Sequence, residues 1–253
     1  MRGHIINNAA GSITLRKEMK KMINELLWLL EIPVNFLLIL LAYRLFGKKG
    51  LFLWIPVSVI VANIQVVMAL RLFGLSATLG NVSYAASFLV TDILSEKYGK
   101  QEARRAVLMG LFCLVAATIL FQLTLFFQPL AGDDFAGEAH AALKTIFGLM
   151  PRIALGSLTA YFISQWHDVW AFDIWRKRFP KHLWIRNNFS TMVSQLVDSV
   201  VFVLIAFAGV YPARVLFEIF ITTYVLKFLV AAADTPFLYW ARRIRPLPTI
   251  PNA

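Results

Sequence analysis

The chain has 253 residues, 59% of them hydrophobic and 15% charged, against about 45–50% and about 25% in soluble domains. With 21 Phe and 7 Trp there is too little polar surface to cover a water-soluble globule, which excludes a disordered chain, a scaffold held by disulfides (Cys113 is alone) and most soluble enzymes. The net charge of +11 falls between apolar runs, which is the mark of membrane topology and not of nucleic-acid binding.

Residues 1–24 are polar and basic, with Arg16, Lys17, Lys20 and Lys21. They do not read as a secretory signal, because the next apolar run is long and lacks a small-residue cleavage site. Met19 or Met22 is a candidate natural start. Apolar runs follow at 26–45, 51–72, 76–96, 106–130, 145–165, 189–210 and 214–239. Each is long enough to cross a hydrocarbon core of about 30 Å. Backbone groups cannot stay unpaired in lipid, so each is predicted to be a helix. No stretch alternates as a strand would. Glu31 and Pro33 weaken the first run.

The connections alternate in charge. Arg44, Lys48 and Lys49 follow the first run. Lys97, Lys100, Arg104 and Arg105 follow the third, and Arg176, Lys177, Arg178, Lys181 and Arg186 follow the fifth. Arg242, Arg243 and Arg245 stand in the tail. The intervening connections hold only Arg71, Lys144 and Arg214, with Asp133, Asp134 and Glu138 in one of them. Basic loops stay on the non-translocated side, so the four basic connections and the C-terminus are expected in the cytoplasm, and the protein in the cell (inner or plasma) membrane. The expected division is a basic N-terminus at 1–24, an accessory hydrophobic helix at 25–47, a six-helix transport domain at 48–241 and a cytoplasmic tail at 242–253. Whether the accessory helix spans is left open by the basic residues on both of its sides.

Ionisable groups at membrane depth are costly, and here they fall on helical faces. Asn81, Phe88, Asp92 and Glu96 are spaced 7, 4 and 4 and form one stripe. Thr191, Gln195, Asp198 and Phe202 form a second, and Thr223, Lys227 and Asp234 a third. Asp198 and Lys227 fall at matching depth if their helices are antiparallel neighbours. They are then expected to form a buried ion pair or to flank a polar cavity. Asn63 lies near the midplane of its run. Arg152 reads as an interface anchor, and Trp166, Trp170, Trp175 and Trp184 as an aromatic belt.

Enzyme signatures are missing. There is no Gly-rich loop followed by Lys-Ser/Thr, no His-Glu-x-x-His and no Gly-x-Ser-x-Gly. The segment 106–130 has no carboxylate to complete a metal-dependent lipid enzyme around Asp92. No cofactor or metal is expected. Polar stripes buried among helices without a catalytic set point to a solute carrier or channel.

The string Ser87-Phe-Leu-Val-Thr-Asp92-Ile-Leu-Ser-Glu96-Lys-Tyr-Gly99-Lys-Gln-Glu-Ala103-Arg104 resembles the queuosine precursor transporter family, earlier described as vitamin uptake transporters. Asn63-Ile, Arg152-Ile, Gln165-x-x-Asp168, Arg186-Asn-Asn, Gln195-x-x-Asp198 and Tyr224-x-x-Lys227 follow the same order, over about 51–239. The chain departs from the pattern at Ala85 and Phe88, where many members carry Pro and Tyr. The resemblance implies an all-α six-helix bundle like the substrate-binding components of vitamin transporters. It also implies import of 7-deazaguanine precursors of a tRNA base: the 7-cyano or 7-aminomethyl form, or the queuine base. A separate energising module and a homo-oligomer are both compatible with it. Such a ligand presents two adjacent donors beside a carbonyl, which a carboxylate and an amide or ammonium group can read. The candidate substrate-binding residues are Asn63, Phe88, Asp92, Glu96, Gln165, Gln195, Asp198 and Lys227. Asp198 or Asp92 is expected at the guanine-like edge, and a Phe or Trp over the ring. The competing readings are another purine-like or vitamin-like solute on the same scaffold, and a non-transporting membrane protein.

Overall fold

The computed structural model describes residues 2–73, 75–148, 151–209 and 212–247. Its elements in order are α1 (Arg2–Phe46), α2 (Lys48–Gln65), β1 (Ala69–Leu72), β2 (Leu75–Thr78), α3 (Asn81–Tyr98), α4 (Lys100–Thr124) and α5 (Asp134–Leu143). A π-helical turn (Lys144–Gly148), α6 (Pro151–Arg178), α7 (Leu183–Phe207) and α8 (Ala213–Arg243) complete it. Met22–Phe46, Lys100–Thr124, Leu183–Phe207 and Leu216–Arg243 are long and apolar enough to cross a membrane. The other predicted runs, carried by α2, α3 and α6, fall short of that measure among the described residues.

α3 lies at the centre, packed on α1, α2, α4, α6, α7 and α8. Fourteen of its 18 residues, from Asn81 to Ser95, are buried, so its polar side chains meet other helices and not lipid. The outer helices show the reverse pattern. α1 turns Trp28, Ile32, Phe36, Ile39, Leu40 and Tyr43 inward and leaves Leu26, Leu30, Leu37 and Leu41 exposed. α4 exposes Phe112, Ile119 and Leu120, and α8 exposes Phe217, Ile221, Val225 and Leu229. An apolar coat of this extent on an otherwise well-packed chain is a lipid-facing surface. This is an all-α membrane protein.

The four basic connections gather at one end of the bundle. Lys48 pairs with Glu102 at 2.9 Å, and Lys100 with Asp173 at 3.6 Å. Lys97 donates to the carbonyls of Arg242 and Ile244, and the Leu247 amide donates to the Arg44 carbonyl. Regular alternation of charge thus reports a real two-ended arrangement. The opposite end holds the β1–β2 hairpin, α5 and the α7–α8 connection.

Three sequence expectations change. The run 51–72 is not one helix, and strands are present. α2 stops at Gln65, and β1 pairs antiparallel with β2, Ala69 opposite Thr78 and Leu72 opposite Leu75. An apolar run does not by itself separate helix from strand, and the hairpin closes its own backbone bonds. The Phe73 backbone N–H donates a hydrogen bond to the Glu25 carboxylate at 3.0 Å. The run 106–130 ends as a helix at Thr124. α1 continues unbroken through Glu31 and Pro33. The Glu31 carboxylate accepts from Gln65 at 3.2 Å and Ser83 at 3.4 Å, and its carbonyl takes the Asn35 amide at 3.1 Å. The side chains of Arg16, Lys17, Lys20 and Lys21 lie outside the described residues, as does the tail from 248 onward.

Gly80 shows why the bundle needs a small residue at one crossing. It precedes α3 at φ +90°, and a Cβ there would stand 2.5 Å from the Ala62 carbonyl oxygen of α2. Only glycine combines that backbone angle with that approach.

Candidate functional site

α7 and α8 are joined by a short connection and run antiparallel, which brings Asp198 and Lys227 together near the middle of each helix. The Lys227 ammonium pairs with Asp198 Oδ2. The other oxygen, Oδ1, accepts the Tyr84 hydroxyl from α3 and the Ser164 hydroxyl from α6, the latter at 3.1 Å. Lys227 also lies 4.7 Å from the centre of the Tyr84 ring. Four helices therefore converge on one carboxylate. Both members of the pair are almost fully buried, and the attraction is strong there because little water screens it.

This pair forms part of the wall of a pocket lined by Ala62, Asn63, Val66, Leu79, Gly80, Asn81, Tyr84, Ser157, Ala160, Asp198, Phe202, Thr223 and Lys227. Its empty space, with the open mouth included, is about 480 Å³. The lining residues come from the end of α2, the turn before α3 and its first residues, the first half of α6, the second half of α7 and the middle of α8, so the pocket lies toward the end opposite the basic connections. Asn63 spends its amide nitrogen on the Val59 carbonyl at 2.9 Å. That leaves its carbonyl oxygen as the acceptor on the pocket side.

Of the sequence candidates, Asn63, Asp198 and Lys227 share this pocket. Phe88, Asp92, Glu96, Gln165 and Gln195 do not line it. Asp92, Gln165 and Gln195 continue below it as a buried polar column toward the basic end. Gln165 donates to Ser87 at 2.6 Å and accepts from Thr91 at 3.3 Å. Gln195 is fully buried, and neither of its amide atoms has a hydrogen-bond partner among the described residues. Asp92 accepts from Thr191 at 3.2 Å and faces Asp168 and Asp234. Asn187 donates to Asp234 at 2.6 Å. No Lys or Arg ion pair reaches these three aspartates among the described residues. At the basic end, Glu96 takes Arg186 at 2.5 Å and Arg242 at 3.4 Å, and Arg176 donates to the Ser95 carbonyl at 2.5 Å.

The aromatic partner differs from the expected one. Phe88 is fully buried behind Tyr84, with ring centres 6.1 Å apart. Tyr84 and Phe202 are the rings that border the pocket. Asn81, Tyr84 and Phe88 are spaced 3 and 4, so helical spacing puts Tyr84 on the stripe with Asn81 and Phe88. Ser164 carried no sequence signal beyond its place one residue before Gln165. Arg152 donates to the Ile205 and Ala208 carbonyls at 2.7 and 2.5 Å, closing the C-terminal end of α7. Trp166, Trp170 and Trp184 are exposed, and Arg104 lies over Trp166 at 4.5 Å.

A family model described as "Putative vitamin uptake transporter" matches residues 78–241, from β2 through α8. The chain belongs to this transporter family. A Bacillus subtilis (strain 168) protein named "Probable queuosine precursor transporter" is 46% identical over 227 residues, covering 89% of this chain and 97% of the relative. The "Queuosine precursor transporter" of Escherichia coli (strain K12) is 27% identical over 173 residues, covering 67% of this chain and 74% of the relative. A Haemophilus influenzae relative, also named "Probable queuosine precursor transporter", is 27% identical over 135 residues, about half of each chain. No solved structure matches. The family's members are named as transporters and not as enzymes, and the matched segment contains every helix of the polar column.

Proposed function

We propose that this vitamin-uptake-family protein imports queuosine precursors, 7-deazaguanine derivatives, into the cell. The observation that carries this is the pocket itself. It brings together a carbonyl acceptor (Asn63), a carboxylate–ammonium pair (Asp198 and Lys227) and two rings (Tyr84 and Phe202). A deazaguanine offers N–H donors, a carbonyl and two aromatic faces, and the Asn63 carbonyl, the Lys227 ammonium and the Tyr84 and Phe202 rings stand as their counterparts there. The 46% identity to the Bacillus subtilis relative of that printed name supports the same class.

In this reading α2, α3, α4, α6, α7 and α8 are the six spanning helices of a transport domain at 48–241, and 25–47 is an accessory helix against it. The end bearing the basic connections and the C-terminus faces the cytoplasm, so the pocket opens outward in the cell membrane. The column of Ser87, Gln165, Gln195, Asp92 and Asp168 is the path inward, and the Glu96–Arg186–Arg242 cluster closes its inner end. Gln195 gains its missing partners as substrate passes.

Uptake of a deazaguanine panel, against adenine and vitamin controls, tests this directly. Deazaguanines are taken up and the controls are not. Asp198→Ala abolishes uptake while the protein still reaches the membrane. Normal uptake by that variant would remove Asp198 from the site, and a carrier that moves only the controls would overturn the substrate class.

A further inference from the structure

The lining of the pocket carries formal charge at two residues only, Asp198 and Lys227. They are not equally available. Asp198 is 1% exposed, and both of its oxygens are in use: Oδ1 by Tyr84 and Ser164, Oδ2 by Lys227. Lys227 is 5% exposed and has three N–H donors, one of which goes to Asp198. The pocket therefore offers a positively charged donor and no unengaged carboxylate. A ligand substituent with a lone pair, such as a nitrile or carbonyl, finds a charge-assisted partner in that ammonium. A ligand ammonium finds like charge close by in a poorly screened site. To reach Asp198 it has to displace Lys227 from a pair that four helices support.

We infer that Lys227 determines specificity within the substrate class: the site takes neutral deazaguanines bearing an acceptor at the 7-substituent in preference to those bearing a primary ammonium there. Lys227 acts by donating to the acceptor and by holding the place a cation would need. This rests on the proposed deazaguanine reading and adds a direction to it.

The test is binding of 7-cyano- and 7-aminomethyl-7-deazaguanine to the purified full-length protein at neutral pH, where the aminomethyl group is cationic. Wild type binds the cyano form at least about tenfold more tightly, the size of effect one charge-assisted hydrogen bond supplies. Lys227→Met frees Asp198 and reverses the order, so that the aminomethyl form binds better. The charge-neutral double variant Asp198→Asn/Lys227→Met binds the two within about threefold of each other, since the differential electrostatic contribution is gone. Equal or tighter binding of the aminomethyl form by wild type overturns the inference, as does a ratio that Lys227→Met leaves unmoved. If Lys227→Met fails to fold, the wild-type ratio and the double variant decide. If wild type binds neither compound, the deazaguanine reading itself falls and the inference falls with it.

Discussion

The pocket and the polar column between it and the basic end are built from the same kinds of residue on the same helices, but they are satisfied differently. In the pocket, Asp198 has three donors, one of them a cation. A few turns toward the basic end, Asp92, Asp168 and Asp234 crowd together with no Lys or Arg pair among the described residues, and neither amide atom of Gln195 has a hydrogen-bond partner there. Full satisfaction fixes a geometry, because each partner holds the others. Unsatisfied buried polar groups raise the energy of the state that contains them. In the proposed reading the pocket serves preorganised recognition, and the column holds polar groups that find partners in another state or around a passing solute.

Removing one partner from the satisfied region has the largest effect. Lys227→Ala leaves a buried carboxylate without its cation, and about 3–5 kcal/mol of stability is lost. This appears as a fall in Tm of the purified protein and as loss of uptake. A Tm unchanged within error would show that the pair contributes nothing to the bundle. The same kind of change in the inner column has the opposite sign. Asp168→Asn removes a buried carboxyl that has no cation beside it among the described residues and supplies donors to Asp92 and Ser194, so Tm rises by about 2–4 °C, the equivalent of about 1 kcal/mol. A lower Tm would mean that the cluster is already satisfied.

Gln195→Met sharpens the contrast with a nearly isosteric change. Replacing an unpartnered buried amide with an apolar chain stabilises the protein by about 1 kcal/mol or more. The difference in Tm shrinks when saturating deazaguanine is present, because only wild type gains partners from the ligand. If the difference stays constant, Gln195 is not on the path. The smallest effect is expected at the exposed Arg214–Glu218 pair, where the side chains are 91% and 64% exposed. Arg214→Ala changes Tm by less than about 1 °C, since solvent-exposed pairs contribute about 0–1 kcal/mol. A large effect there would argue that the outer surface is covered by a partner.

Much of the helical scaffold was legible, and for a definite reason. Lipid allows few backbone arrangements, so long apolar runs could be assigned to helices. The spacing of 4, 3 and 4 through Thr191, Gln195, Asp198 and Phe202 placed those residues on one face without coordinates. The matching depth of Asp198 and Lys227 followed from counting along two antiparallel helices. The hairpin at 69–78 was not legible, because Ala69-Leu-Arg-Leu72 is as apolar as the helix before it and nothing local separates the two states. Tyr84 was passed over because tyrosine belongs with aromatic packing until a carboxylate from another helix is known to stand beside its hydroxyl. Glu31 was read as a defect in α1 because its partners, Gln65 and Ser83, come from two other helices.

Composition and charge order by themselves determined a membrane-embedded helical chain with its basic connections at one end. These are one-dimensional properties, set by the cost of exposing peptide groups and charge to hydrocarbon. Which polar residues share a space was decided only by the packing of α2, α3, α6, α7 and α8 around one another. That packing put Asn63, Tyr84, Asp198 and Lys227 into one wall and left Asp92, Gln165 and Gln195 below it. Distances between helices depend on how whole side-chain surfaces interlock, and no periodicity within a single helix encodes them.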